Sequence, residues 1–423
     1  MIDSSRERAY SSEVAVWYEW PLFYYFMSHF FPPGPPALMN GCLLLSVFGV
    51  AYSYRTDRKR ATIFLQQPLA WLWIAFAALM GLSIFQAPEA LRPESWHKYV
   101  SDFGKGSVFA VVLAFHLDRT ERFVRLFIAG TVAMLGMLLH WMVTTWLIVR
   151  LTSVFPVQRD YLYWLLFFLP FSLGTYLISK GWRILAAIAV IATVALAVTT
   201  GFRGALLSIV VMMVVMLVFF RVWNLLVLGI VLAVLSVLAM SIIFPGQGSY
   251  VLAKMQQVSS SNRVTGIWIP AWEMSVNEPW FGHGFGHQVF RASYLDAVQH
   301  QPEGWTPERH SVYGLAPASP HSVYLETLFS AGFPGLFTYL AILFFCLFYL
   351  AQTARDCLTE VKSETLRIVS FSLFVCGVGN FVIFPIFETP AWRTLPIWVG
   401  IVLALFIMVE AKDGVIENGV GAI

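Results

Sequence analysis

The sequence predicts an all-α protein that crosses a membrane many times, and three observations lead to this prediction. Of the 423 residues, 58% are hydrophobic and only 12% are charged, whereas about 25% are charged in an average soluble domain. The mean hydropathy is +0.70. Apolar runs of about 20 residues, long enough to cross a bilayer as a helix, occur about twelve times. These features exclude a cytosolic enzyme, and the net charge of +3 gives no indication of a nucleic-acid partner.

The apolar runs give the predicted spans directly. They lie at residues 14–31, 37–54, 63–85, 103–117, 123–148, 161–179, 184–200, 204–220, 225–244, 321–351, 368–388 and 394–411. The first run contains Glu19, Pro21 and His29 among many aromatic residues, so it either crosses the membrane or lies in its interface. It lacks a small-residue cleavage site, and we therefore expect no removable signal peptide.

Lys and Arg residues are concentrated in alternate connections between the spans. These connections are at residues 55–60, 119–125, 180–183, 221 and 355–367. Alternate connections lie on the same side of a membrane, and the positive-inside rule makes that side cytoplasmic. We therefore expect both termini, including a tail at 412–423, to be cytoplasmic if the first run crosses.

One outer connection is much longer than the others and divides the chain. The predicted parts are nine spans in 1–244, a loop domain at 245–320 and three spans in 321–411. The loop contains four Trp residues, which favours packed structure over disorder. Asn262 can cap a helix over 263–277 that carries Trp268 and Trp272. The sequence thus predicts one large helical loop on the outer side.

Arg203 lies between the seventh and eighth spans, in a connection so short that it is held at the outer edge of the hydrocarbon. A guanidinium at full membrane depth costs about 2.5–3.5 kcal/mol, and less at the interface. The sequence offers no acidic residue nearby. Arg203 can snorkel to lipid headgroups, pair with a distant carboxylate such as Glu388, or bind phosphoryl oxygens through its planar fork.

A second arginine occupies a similar layer. Arg263 follows Asn262 at the predicted start of the loop helix, where unpaired N–H groups and the helix dipole favour an anion. Arg263 is therefore either half of a pyrophosphate site or a solvated arginine at a helix start.

His321 precedes the tenth span and is the candidate base. Ser319 is its predicted N-cap residue and Pro320 the predicted first residue of the helix. The following apolar run is about 46 Å long at 1.5 Å per residue, so its first turns should protrude beyond the hydrocarbon. The helix dipole disfavours imidazolium, which predicts a neutral His321 able to accept a proton. The alternative is a structural histidine. Tyr324 would share its helix face.

The glycine-rich segment at 281–286 does not carry a second function in this interpretation. It follows Pro279 instead of a strand, which argues against a nucleotide-binding loop. His283 and His287 have the spacing of metal ligands on a helix, but the glycines argue against a helix there. We therefore expect neither a nucleotide nor a metal at this segment.

The outer-hairpin Arg203, Asn262 with Arg263, the sequence Asn-Glu-Pro-Trp-Phe-Gly-His-Gly-Phe-Gly, and Pro-His-Ser-Val-Tyr-Leu-Glu together resemble the O-antigen ligase and polymerase superfamily. The specific part covers about residues 185–345. The resemblance implies a bacterial inner-membrane glycosyltransferase of GT-C type that takes a glycan from undecaprenyl diphosphate on the periplasmic side. It implies no cofactor, metal, nucleotide or nucleic acid. Arg203 and Arg263 match the diphosphate-binding arginines of that family, and His321 matches its catalytic histidine.

The resemblance leaves the acceptor open among lipid A-core, a growing glycan on a second carrier lipid, and a protein. We favour lipid A-core, because the chain has one dominant outer loop and several outer basic residues that could meet core phosphates. These residues are Arg92, Lys98, Arg150, Arg159, Arg291 and Arg309. The expected substrate contacts are Arg203, Arg263, Tyr324, Arg291 and Glu388, the last of which could orient Arg203 or an acceptor hydroxyl. A polysaccharide flippase is the alternative from another class, but the predicted midplanes carry few ionisable residues.

Overall fold

The computed structural model describes residues 17–28, 35–54, 58–152, 160–200, 202–243, 264–300, 319–359, 364–388 and 392–420. Almost all of these residues are helical, and none of them lies in a β-strand. The prediction of an all-α polytopic membrane protein is confirmed.

A helix or part of one lies within every predicted span. We number the α-helices α1 (Glu19–Ser28), α2 (Pro36–Tyr54), α3 (Arg58–Gln66), α4 (Pro68–Ser83), α5 (Arg92–Tyr99), α6 (Lys105–His116), α7 (Thr120–Thr152), α8 (Asp160–Ile178), α9 (Arg183–Thr200), α10 (Arg203–Phe219), α11 (Trp223–Ile243), α12 (Ile269–Asn277), α13 (His287–His300), α14 (Val323–Thr359), α15 (Glu364–Gly377), α16 (Phe384–Phe387) and α17 (Thr394–Val420). Short π-helical segments lie at Val100–Gly104, Val264–Trp268 and Val378–Ile383.

Within the described residues, seven helical stretches are long and apolar enough to cross a membrane. They are Pro36–Ser53, Pro68–Gln86, Thr120–Leu151, Tyr161–Ile178, Lys180–Thr200, Val323–Cys357 and Glu364–Phe387. Shorter apolar helices at Arg203–Phe219 and Thr394–Glu410 add to them. A total of twelve spans stays a prediction.

Small residues allow the central helices to approach closely, as is usual where helices pack in a membrane. A Cβ atom on Gly400 of α17 would lie 2.5 Å from the Cα of Ala110 on α6. A Cβ atom on Gly106 would lie 2.5 Å from the ring of Pro396. A side chain at either glycine would therefore separate α6 from α17.

Many charged side chains gather at two ends of the bundle. At one end, which we call the Asp118 end, Asp118 pairs with Arg60 at 3.3 Å and with Arg122 at 3.0 Å. Asp102 lies just before α6, whereas Asp118 lies just after it, so the length of α6 separates the two ends. The end that contains Asp102 also contains His321, and we call it the His321 end.

The described part of the first apolar run packs inside the bundle. Tyr18, Leu22 and Phe26 are completely buried. Glu19 Oε2 lies 2.9 Å from Arg125 Nη1, so α1 joins α7 at the Asp118 end. This packing favours a crossing helix over one that lies alone in the membrane interface.

The long helix α14 is interrupted near its start. Ala331 and Gly332 have non-helical backbone angles, and Gly332 has a φ of +66°. The freed carbonyl groups of Phe329 and Ser330 accept hydrogen bonds from the backbone N–H groups of His283, at 2.8 Å, and Gly284, at 3.2 Å. The interruption therefore serves as the docking point for the glycine-rich loop segment.

This docking explains why the segment at 281–286 is rich in glycine. Gly282 has a φ of +65°, and a Cβ atom there would lie 2.4 Å from the carbonyl oxygen of Phe329. A Cβ atom on Gly332 would lie 2.4 Å from the carbonyl oxygen of Pro279. Two backbones can approach this closely only where side chains are absent. The contact fixes the loop against the first turns of α14, directly after His321.

Candidate active site

His321 lies in a strained turn immediately before α14. The helix begins at Val323, so the prediction that it starts at Pro320 is wrong. The first turn closes when the N–H of Glu326 donates to the Ser322 carbonyl, and His321 is left outside the helix with a φ of +51°. Ser319 stabilises this turn, because its Oγ accepts a hydrogen bond from the His321 N–H at 3.4 Å. A left-handed non-glycine residue costs about 1–3 kcal/mol, and such strain is often found at functional sites.

The imidazole of His321 is held by a buried carboxylate. His321 Nδ1 lies 2.9 Å from Glu388 Oε2. The Glu388 side chain is 6% exposed, whereas the His321 side chain is 37% exposed. In a neutral imidazole, this bond assigns the proton to Nδ1 and leaves Nε2 as an acceptor. Glu388 thus orients His321. That it also orients Arg203 or an acceptor hydroxyl stays a prediction.

Helices α8 and α16 complete the surroundings of this carboxylate. Glu388 directly follows α16, which continues the π-helical segment Val378–Ile383. The hydroxyl of Tyr163, near the start of α8, donates to the same Glu388 oxygen at 3.3 Å. Sequence reasoning missed Tyr163, because one tyrosine among several near the start of an apolar span carries no local signal.

Arg203 reaches the same end of the bundle from α10. It is the first residue of that helix, after the N-cap residue Phe202, and its side chain is exposed. A Cβ atom on Gly204 would lie 3.1 Å from the Cβ of Phe387. The start of α10 therefore packs against the residue that precedes Glu388. The position of the α9–α10 connection on the outer side stays a prediction.

Tyr324 connects two elements of the site, and its predicted contact with the substrate stays a prediction. Its hydroxyl donates to the carbonyl oxygens of Val382, at 2.9 Å, and Phe381, at 3.3 Å, in the π-helical segment. A π-helix shifts its hydrogen bonds by one residue and leaves room for such an outside donor. Tyr324 therefore ties the start of α14 to the segment that leads into Glu388.

An apolar groove begins beside His321. It has a volume of about 360 Å³ and is lined by Trp268, Ile269, Trp272, Ser322, Tyr324, Leu325 and Ile386. The two Trp residues come from the loop, where they lie in consecutive helical segments, as predicted. Ile269 also comes from the loop, and the remaining residues come from the start of α14, with Ser322 just before it, and from α16. The groove thus lies between the loop and the bundle, and its lining includes Ser322, the residue that follows His321.

A sequence model described as O-antigen ligase matches residues 187–340 of the chain. The chain contains an O-antigen ligase domain. Its activity is therefore, in general terms, of the O-antigen ligase or polymerase type, which is a glycosyltransferase-like ligase activity. No curated protein matches the chain in sequence. The O-antigen ligase domain extends from α9 past the interruption in α14, and so contains Arg203, the loop and His321.

Glu388 and Tyr163 lie outside the matched residues of the O-antigen ligase domain. The domain contributes the imidazole, and α8 and α16 contribute the two groups that hold its position. A pairing that joins residues 67 positions apart in the sequence, as His321 and Glu388 are, is invisible to a local motif. Only the packing of α14 against α16 brings them together.

A second polar cluster lies at the same end of the bundle as His321. The Trp392 indole N–H donates to Glu326 Oε1 at 3.0 Å, and Arg393 Nε lies 3.3 Å from Asp102 Oδ1. Burial lowers the pKa of the Lys98 amine, although Glu326 and Asp102 nearby favour its charged form. Sequence reasoning missed Glu326 as a polar contact, even though it lies in the same motif as His321.

The other predicted residues are less central in the structure. Arg291 lies on α13 with an exposed side chain. Arg263, Arg159 and Arg309 lie outside the described residues. His283 is used in loop packing, because its Nε2 lies 2.8 Å from the Met274 carbonyl oxygen and its ring stacks on Phe329. Among the described residues, no group of three His, Cys, Asp or Glu side chains could hold a metal ion.

Proposed function

We propose that this protein is an O-antigen ligase that transfers a glycan from undecaprenyl diphosphate to lipid A-core on the periplasmic face of the bacterial inner membrane. The observation that carries the proposal is the exposed His321 imidazole, held at Nδ1 by the buried Glu388 at the same end as Arg203. The O-antigen ligase domain supports this class of reaction in general terms.

His321 acts as the general base in this mechanism. With its Nδ1 proton directed to Glu388, its Nε2 can take the proton of the acceptor hydroxyl while that oxygen attacks the anomeric carbon. Glu388 holds the ring in the required tautomer and stabilises the imidazolium that forms. Attack from the face opposite the leaving diphosphate inverts the anomeric centre. Diphosphate is already a good leaving group, so the acceptor proton is the main one that the protein must move.

Arg203 binds the diphosphate of the donor. Negative charge grows on the leaving diphosphate as the glycosidic bond breaks, so a guanidinium near it stabilises the transition state more than the ground state. The fork of Arg203 suits phosphoryl oxygens, and its place at the start of α10 adds the favourable end of a helix dipole. Arg263 is the expected second arginine.

The apolar groove suits the polyprenyl tail of the same donor. Its aromatic lining from the loop and its aliphatic lining from α14 and α16 match a hydrocarbon chain. The tail would lie beside Ser322 and so bring the diphosphate close to His321. Because the donor itself supplies the free energy of transfer, the reaction needs neither a nucleotide nor a cofactor.

The orientation follows from the positive-inside rule. The described arginines at the Asp118 end belong to the predicted cytoplasmic connections, so the His321 end faces the periplasm. Both termini are then cytoplasmic, and the donor and acceptor lipids reach the site from the outer leaflet.

A reconstituted reaction tests the proposal. Purified protein is mixed with an undecaprenyl diphosphate-linked glycan and separate rough lipopolysaccharide, without ATP or metal. We expect lipopolysaccharide with a ladder of larger species on a gel. Longer carrier-linked glycan instead would assign a polymerase, and glycosylated protein would assign an O-oligosaccharyltransferase. Transport of the donor across vesicles without any new glycosidic bond would identify a flippase and contradict the proposal.

A further inference from the structure

We propose that Tyr163 is a positioning residue that joins the two halves of the active site. Its hydroxyl holds the Glu388 carboxylate against His321, and its ring holds the start of α10, where Arg203 lies. The inference rests on the proposed function, since that function gives His321 and Arg203 their roles as base and diphosphate ligand.

The hydroxyl of Tyr163 and the imidazole of His321 donate to the same oxygen atom of Glu388. Glu388 Oε2 accepts from His321 Nδ1 at 2.9 Å and from the Tyr163 hydroxyl at 3.3 Å. A carboxylate can rotate about its terminal bond, and its two oxygens are equivalent when it is ionised. The second donor on the same oxygen therefore restricts that rotation. It keeps Oε2 directed at the imidazole while His321 gains and loses a proton.

The ring of Tyr163 belongs to a cluster of three aromatic residues. The Tyr163 ring lies edge-on to Phe202, at 5.7 Å between centroids, and to Phe384, at 5.4 Å. Phe202 and Phe384 also touch, at 5.8 Å. Edge-to-face pairs of this kind stabilise the packing beyond the effect of their buried area. The cluster joins α8, the start of α10 and the start of α16.

Each partner of the ring is adjacent to a functional group along the chain. Phe202 is the N-cap residue of α10, directly before Arg203, and is 7% exposed. Phe384 begins α16, the single turn that ends before Glu388. A shift of the Tyr163 ring would therefore move the base and the arginine relative to one another. An error of about 1 Å in such a distance can cost about 100-fold in rate.

Two substitutions of Tyr163 separate the contributions of hydroxyl and ring. Tyr163→Phe keeps the aromatic cluster and removes only the donor to Glu388. Tyr163→Leu removes the donor and the ring. Tyr161→Phe is the matched control, because it removes a hydroxyl from the same end of α8, where that group contacts His140 instead of Glu388.

Three measurements are made on the full-length protein in detergent. Turnover is measured with the donor and rough lipopolysaccharide, and the dissociation constant is measured for farnesyl diphosphate as a soluble diphosphate probe. The third measurement is the ¹⁵N signal of the His321 ring in histidine-labelled protein. This signal is assigned among the nine histidines by its loss in His321→Gln.

We expect Tyr163→Phe to lower kcat about tenfold, as loss of a hydrogen bond to a charged group would. The His321 Nδ1 signal should move, and the affinity for farnesyl diphosphate should be unchanged. Tyr163→Leu should show the same effects and also weaken farnesyl diphosphate binding about tenfold. Tyr161→Phe should leave all three readouts as in the wild type.

A merely structural role for Tyr163 would lower the yield of folded protein and leave kcat and the His321 signal of the folded fraction unchanged, which would overturn the proposal. Equal farnesyl diphosphate binding in Tyr163→Leu and the wild type would overturn the ring half. Failure of the proposed function is distinguishable, because it would appear as a wild type without glycan transfer. The His321 signal in Tyr163→Phe would then still decide the hydroxyl half.

Discussion

The buried carboxylates Glu19, at the Asp118 end, and Glu388, at the His321 end, have different partners. Glu19 lies against Arg125 and the completely buried His116, whereas Glu388 lies against the partly exposed His321. At the Asp118 end, Glu19 faces the Arg125 guanidinium at 2.9 Å, and Asp118 faces Arg60 and Arg122. At the His321 end, the Glu388 carboxylate is just as buried, but it faces an imidazole and a phenol. An arginine never releases its proton in a protein, so its pair is a fixed connection between helices. A histidine can exchange its proton with a substrate, so its pair can do chemistry.

This difference suggests a division of labour between the two ends. Substitutions at the Asp118 end should change the free energy of unfolding and leave turnover unchanged, because the contacts there join α1, α3 and α7. Substitutions at the His321 end should change turnover or donor binding and leave the fold intact. Each of the following substitutions tests one part of this division.

The largest effect is expected for His321→Ala. Removing a general base lowers turnover by about 10²- to 10⁴-fold. The imidazole is partly exposed and lies outside α14, so its loss should leave the fold and the donor affinity intact. The melting temperature should fall slightly, because the buried Glu388 loses one hydrogen-bond donor. The prediction is checked by measuring the steady-state rate and the donor affinity on the same preparation.

A matched control for this variant is His97→Ala, which removes an exposed histidine from α5. Its rate should equal that of the wild type. If both histidine variants kept the wild-type rate, another group would have to accept the proton of the acceptor hydroxyl. The proposed difference in chemistry between the two ends would then be wrong.

The next effect concerns the Asp118 end. Glu19→Ala leaves Arg125 and the buried His116 without the carboxylate that lies 2.9 Å from one and 3.4 Å from the other. Removing one partner of a fully buried pair costs roughly 3–5 kcal/mol, and because Arg125 keeps partial access to solvent we expect about 2 kcal/mol here. Reversible unfolding in mixed detergent measures this loss.

An exposed pair at the same end is the control for Glu19. Glu364→Ala breaks a contact with Arg367 in which the glutamate side chain is 77% exposed, and it should cost almost nothing. A large loss of turnover in folded Glu19→Ala protein would contradict the division of labour, since it would connect the Asp118 end to the chemistry.

A third substitution tests whether Arg203 binds the donor. Arg203→Ala should weaken binding of a polyprenyl diphosphate about tenfold through the loss of charge-assisted hydrogen bonds. Arg203→Lys should restore only part of the affinity, because lysine lacks the planar fork. The dissociation constant of farnesyl diphosphate is the measurement.

Arg150→Ala is the matched control, because that arginine lies in the last turn of α7 and stacks over Trp146. It should bind the diphosphate as the wild type does. An equal loss of affinity in both variants would point to a general electrostatic effect of the outer arginines, and Arg203 would then have no specific role.

The sequence predicted the helices well because each one requires only a continuous apolar run, which is a local property. It also indicated Arg203 and His321, since a charged or titratable residue next to an apolar run is conspicuous. The interruption of α14 was missed although Gly332 and Pro334 are a local signal of a broken helix, because the span was predicted from its apolar character alone. The docking that requires this interruption comes from a loop more than 40 residues earlier in the sequence.

The partners of His321 were beyond sequence reasoning for a related reason. Glu388 was recognised as a polar residue at a span end, but its pairing with His321 depends on how α14 packs against α16. Tyr163 lies 225 positions from Glu388 in the sequence, and no periodicity connects them. The start of α14 was misplaced because Ser319 has the residue type of an N-cap, whereas the turn geometry gives that role to Ser322.

The smallest effect is expected for Lys98→Met, at the His321 end. Burial lowers the pKa of the Lys98 amine below its ordinary value of 10.5, and this outweighs the opposing attraction of Glu326 and Asp102. The folded protein therefore binds fewer protons than the unfolded chain at high pH, so the penalty for the charge is fully present below the folded pKa and disappears as the pH rises through 10.5. Lys98→Met should raise the melting temperature slightly at pH 7, and the difference from the wild type should shrink towards pH 10. A lower melting temperature in the variant would mean that Lys98 contributes a stabilising ion pair, and the His321 end would then resemble the Asp118 end in this respect.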